Sequence, residues 1–104
     1  VNFETQNRIE ILMQVQGCVC SLCEGERGPI PDRLRGRARL NHPLRPTIEH
    51  TFPTRYGGAW SWGNITVAHA RCNNDKGSRP PTEREVAFLE RVNAAIPHLL
   101  RMAA

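Results

Sequence analysis

Four side chains in this sequence have the types and spacing of a transition-metal site. Cys20 and Cys23 form a Cys-x-x-Cys pair, and after 45 intervening residues His69 and Cys72 form a His-x-x-Cys pair with the same step. Sulfur and imidazole nitrogen are the donors that a tetrahedral structural zinc takes, and a two-residue gap lets one tight turn aim both members of a pair at one ion. A metal tie across so long a loop would stabilise a chain with a small core. Cys18 is separated from Cys20 by one intervening residue, as Cys-x-Cys, which is a poorer chelate spacing. It reads as a buried or spare thiol, with Cys18 replacing Cys20 or Cys23 as the alternative. Taken singly, the cysteines would be free thiols or a disulfide, and His69 an ordinary surface or core imidazole.

Charge points to a polyanionic partner. The chain carries a formal net charge of +4, and its basic side chains are almost all arginine, with Lys76 the one lysine. The planar guanidinium fork matches phosphate oxygens better than a point charge does. Six arginines against the single acid Asp32 lie between Arg27 and Arg45, and Arg33, Arg35, Arg37 and Arg39 alternate. In an extended segment these four would share one side and make sequence-independent, salt-sensitive contacts with a DNA backbone. No apolar run is long enough for a membrane span, and no signal peptide is visible. An intracellular, cytoplasmic setting is therefore expected, where cysteines serve metals more often than disulfides.

The elements that must position these groups fit one α+β domain over residues 1–104. Residues 4–16 read as a helix with Ile9, Leu12, Met13 and Val15 apolar, closed by Gly17; a strand over residues 9–15 is the alternative. Residues 17–46 are rich in turns and arginine. Residues 47–52 alternate and read as a strand stopped by Pro53, and residues 64–68 as a second strand. A short helix over residues 69–76 ends at Gly77. Thr82 and Glu85 form a capping box ahead of a helix over residues 82–96 with Val86, Leu89, Val92 and Ile96 apolar. Trp60 and Trp62, two apart, read as a lid over the small core in preference to a base-stacking pair.

The order of motifs is itself informative: Cys20-x-x-Cys23, Glu49-His50, Gly57-Gly58, Asn64, and His69-x-x-Cys72-Asn73-x-x-Lys76. Over roughly residues 20–79 this resembles the HNH nucleases, a family with a ββα-metal core, here stapled by zinc over residues 18–79 and flanked by terminal helices. The resemblance implies a metal-dependent DNA endonuclease. It makes His50 the general base and Asn64 the residue that holds the loop bearing it. It makes Glu49 and Asn73 ligands of a catalytic Mg2+ or Mn2+, and gives Lys76 a contact to phosphate. Glu49 stands where the family usually has Asp, which displaces the carboxylate by about one bond length, a large change for octahedral magnesium.

The chemistry agrees with those roles. Phosphodiester hydrolysis needs a base for water and stabilisation of charge on the phosphoryl oxygens, and an imidazole near neutral pH suits the first task. Glu49 and His50 are neighbours on a strand, so their side chains face opposite ways unless the strand end twists or bulges. Two rivals follow: a zinc-stapled DNA-binding module without catalysis, and a nuclease subunit active only inside a larger phage or restriction assembly.

Overall fold

The structure, a computed structural model, describes residues 3–31 and 41–96. The expected phosphate contacts at Arg33, Arg35, Arg37 and Arg39 lie outside the described residues. In chain order the elements are helix α1 (Phe3–Gln16), strand β1 (Pro46–His50), a 3-10 turn (Thr54–Tyr56), strand β2 (Ile65–His69), helix α2 (Ala70–Lys76) and helix α3 (Glu83–Ala95). The described residues form a small α+β unit whose sheet is one antiparallel pair, β1 with β2, in the register Ile48 opposite Val67 and His50 opposite Ile65.

Residues 3–16 form a helix, not the alternative strand, because Ile9 and Leu12 fall on the face that meets the core, with Met13 and Val15 at its margin. Gly17 ends it in the left-handed conformation (φ 72°) that glycine adopts without a steric penalty. Gln16 then acts as a strand fragment: its side-chain amide accepts from the Val67 N–H and donates to the Val67 and Val19 carbonyls. That covers an edge of β2, whose five residues are all buried.

The core is built from Ile9, Leu12, Ile30, Ile48, Ile65, Val67, Phe88, Val92 and Ile96. α1 packs on both strands and on α3, and α2 packs on both strands. The capping box of α3 is present: Thr82 Oγ1 accepts from the Glu85 N–H, and Glu85 accepts from the Thr82 N–H. Phe88 takes the core position expected of Val86, which is only half-buried.

β1 stops at His50, two residues short of the expected end. The reason is side-chain competition. Phe52 gives its N–H to Asn64 Oδ1 (2.8 Å), and its carbonyl accepts from Asn64 Nδ2 (2.9 Å), so its backbone groups are satisfied away from β2.

Leu12 is fully buried where α1 meets the core. Leu12→Ala is expected to lower the unfolding free energy by about 2–5 kcal/mol. Urea denaturation of the metal-loaded protein, followed by circular dichroism, measures it.

Candidate metal centre and the His50 loop

The first candidate site begins at a knuckle. The Glu24 N–H bonds back to the Cys20 carbonyl (2.9 Å), which folds Cys20 and Cys23 into one turn. The Ser21 N–H joins this turn to the Val67 carbonyl (3.1 Å), and the Ser21 and Thr66 hydroxyls meet at 2.8 Å. The knuckle therefore lies against β2, which runs directly into His69. One helical turn on, α2 presents Cys72.

These four residues converge. The donor atoms of Cys20, Cys23, His69 and Cys72 all lie within 4.8 Å of one another, so the group could hold a metal ion. His69 Nδ1 is 3.5 Å from Cys23 Sγ and 3.6 Å from Cys72 Sγ. A tetrahedral zinc with bonds of about 2.3 Å to sulfur and about 2.0–2.1 Å to nitrogen requires a sulfur–nitrogen separation of about 3.6 Å. His69 Nε2 lies 3.3 Å from the Pro29 carbonyl, which can only accept. The ring proton therefore belongs on Nε2, and the Nδ1 lone pair is left facing the three sulfurs. Cys18 is half-buried and stands outside the group.

The electrostatics of the group favour a cation. Burial first, and then Cys20 and Cys23, push the Cys72 thiol up to about 12. Burial works the same way on Cys23, but the N–H groups of Arg27 and Gly25 outweigh it and hold that thiol below its usual value. Cys20 Sγ accepts from the N–H groups of Leu22 and His69, and Arg27 donates to Cys72 Sγ. Several thiolates this close repel one another unless a positive ion lies among them.

The second candidate site is the loop after β1. Asn64 sits buried beneath it and makes three bonds: the two to Phe52 and one from Nδ2 to the Ala59 carbonyl (3.0 Å). The Thr51 N–H reaches the Asn64 carbonyl (3.0 Å). Gly58 closes the loop so tightly that a Cβ there would stand 1.5 Å from the Phe52 oxygen. The imidazole of His50 lies edge to face with Trp60, ring centroids 4.2 Å apart. Its Nε2 is buried without a hydrogen-bond partner. Burial, and then the charge of Lys76, hold the His50 imidazole below its ordinary value. Trp62 packs at the edge of the core, as a lid would, whereas Trp60 stays 55% exposed.

The remaining expected residues gather on the other face of β1. Strand alternation sends Thr47 and Glu49 toward α2, and Ile48 and His50 away from it. Asn73 Nδ2 donates to the Ile48 carbonyl (3.0 Å) and Thr47 Oγ1 (3.3 Å). Glu49 is buried and meets Lys76 at 2.6 Å. The Lys76 ammonium also donates to the carbonyls of His50 and Thr51, both at 2.9 Å. A lysine has three N–H donors, and all three are spent on protein oxygens, so none remains for a phosphate. Glu49 thus does not fit a divalent ion as it stands: its carboxylate is enclosed and one oxygen already has a cation, while Asn73 is held to β1 through Nδ2 and has only Oδ1 to offer a metal. Burial lifts the Glu49 carboxyl above its ordinary value, while Lys76 pulls it down.

Three participants had no signal in the residue pattern: the Pro29 carbonyl, the ring of Trp60 against His50, and the Lys76 bond to the His50 carbonyl. Gly57-Gly58 hinted at a tight loop without showing what it closes on. No protein-family model matches this chain, and a search of curated proteins finds no match. Among the described residues no helix is long and apolar enough to cross a membrane.

Protein purified with zinc is expected to carry one equivalent per chain by elemental analysis. Cys72→Ser is expected to weaken retention against a chelator by at least tenfold, and stripping the metal to abolish the cooperative thermal transition.

Proposed function

We propose that this protein is a zinc-stapled, HNH-type domain that hydrolyses phosphodiester bonds in DNA, with His50 as general base. One observation carries the reading: the His50 imidazole sits at the end of β1, where Lys76 holds its carbonyl from one side and Asn64 holds the following loop from the other. A base must be held still and must be neutral at working pH. The lowered pKa of His50 favours the neutral ring. The Cys3His group, filled with zinc, would fix α2 and hence Lys76.

In this reading, water attacks phosphorus as His50 takes its proton. The bond to the 3′ oxygen breaks, and the products are a 3′-hydroxyl and a 5′-phosphate, as the resemblance to the HNH nucleases implies. Trp60 lies against the imidazole and is more than half exposed, and in this reading it would have to move aside to admit the water and phosphate. Arg55 is exposed on the same loop and in this reading would meet a phosphate backbone.

A second reading is a DNA-binding module that does not hydrolyse. The buried Glu49–Lys76 pair favours it, because that pair fills the position the resemblance gives to a catalytic Mg2+ or Mn2+.

Supercoiled plasmid incubated with zinc-loaded protein in magnesium, manganese or EDTA separates the readings. Nicked or linear product is expected, and His50→Ala should lower the rate by about 10²–10⁴-fold with DNA binding retained. Equal activity of His50→Ala rejects the base assignment. Salt-sensitive binding without product under all three conditions supports the second reading.

The pH profile gives an independent check. A base with a lowered pKa stays neutral further into acid, so the acid limb of the rate should fall below the ordinary imidazole value of about 6.5. An acid limb above that value contradicts the burial of His50.

A further inference from the structure

We propose that Lys76 is the built-in cation of the Glu49 site, its ammonium standing where a divalent ion bound to Glu49 would have to sit. The argument rests on the ion pair alone and does not require that His50 hydrolyse DNA.

The distance and the burial come first. Lys76 Nζ and Glu49 Oε2 are 2.6 Å apart, with the two side chains only 1% and 4% exposed. Magnesium keeps several of its waters when it binds protein. With the Lys76 ammonium in place, a carboxylate this enclosed offers no wet side for them. The ammonium needs none, since its other two donors end on the His50 and Thr51 carbonyls.

The surrounding charge is already balanced. Arg79 makes a two-pronged pair with Glu85 (2.9 and 2.7 Å), and both are near enough to act on Glu49 electrostatically. Lys76 and Arg79 are thus matched by Glu49 and Glu85. A divalent ion added to this group would bring two uncompensated positive charges next to two cations. Asn73 does not offset that: it is held to Ile48 and Thr47 through Nδ2, and its one possible ligand atom, Oδ1, is a neutral amide oxygen that brings no negative charge.

Removing the ammonium should therefore create the site it now occupies. In Lys76→Met the buried carboxylate has lost its counter-charge, and a divalent ion is one way to restore it.

The test is manganese binding to the zinc-loaded full chain without DNA, followed by electron paramagnetic resonance. Wild type is expected to leave added Mn2+ free. Lys76→Met should take up one equivalent, and Lys76→Met with Glu49→Gln should lose it. Zinc content and circular dichroism on each sample show that the fold is kept. If Lys76→Met does not fold, wild type alone decides, through amide resonances of His50, Thr51 and Asn73: no Mn2+ broadening there supports the proposal. Broadening at those amides, manganese uptake by wild type that Glu49→Gln abolishes, or a folded Lys76→Met that binds no more than wild type overturns it. Cleavage is not read, so an inactive protein leaves this result intact.

Discussion

The structure depends on four donor atoms gathered within 4.8 Å of one another, close enough that one metal ion could bind them all. Three sulfurs and one imidazole nitrogen come from two places far apart in the chain: the knuckle after α1, and the junction of β2 with α2. The apolar core beside them is small, and the polar groups that join knuckle to strand (Ser21 on Val67, Gln16 on Val67) are few. Thiols packed this closely gain nothing from being together in the absence of a cation, since ionising one raises the cost of ionising the next. The Pro29 carbonyl completes the arrangement by fixing which nitrogen of His69 carries its proton.

From that knot the geometry runs outward through a single short helix. α2 begins right after His69 and carries Cys72, Asn73 and Lys76 within about one turn and a half. Cys72 faces the knot, while Asn73 and Lys76 reach β1. The helix therefore joins the candidate metal centre to the strand that ends in His50. On the far side Asn64 does the same for the loop, using one side chain to satisfy three backbone groups. His50 is thus held through its backbone and its neighbours, and its ring is left to meet Trp60.

The Glu49–Lys76 pair has an energetic cost as well as a role. Burying both charges loses their hydration, and their attraction recovers it only when the remaining donors are satisfied. Here they are, through the His50 and Thr51 carbonyls. Losing either partner would leave the other charge buried alone, typically at about 3–5 kcal/mol. The pair ties the end of β1 to α2 through Glu49 and the His50 and Thr51 carbonyls. It also explains why a lysine that looks like a surface charge in the linear chain lies deep in the fold.

Much of this protein is determined locally and can be read along the chain. Donor spacing singled out Cys20, Cys23, His69 and Cys72, because a tight turn needs only neighbouring residues. Gly17, Gly77 and the Thr82–Glu85 box marked helix ends for the same reason, and alternation marked the first strand. Partnership across space is different, since nothing in local spacing says which buried carboxylate an ammonium will meet. Only the packing of α2 on β1 gave Lys76 to Glu49 and turned Asn73 onto the strand backbone. Likewise only the closing of the loop over Asn64 ended β1 early and laid Trp60 against His50. Short-range geometry follows from covalent connectivity, whereas these contacts join residues 10 to 27 positions apart and exist only once the chain has folded.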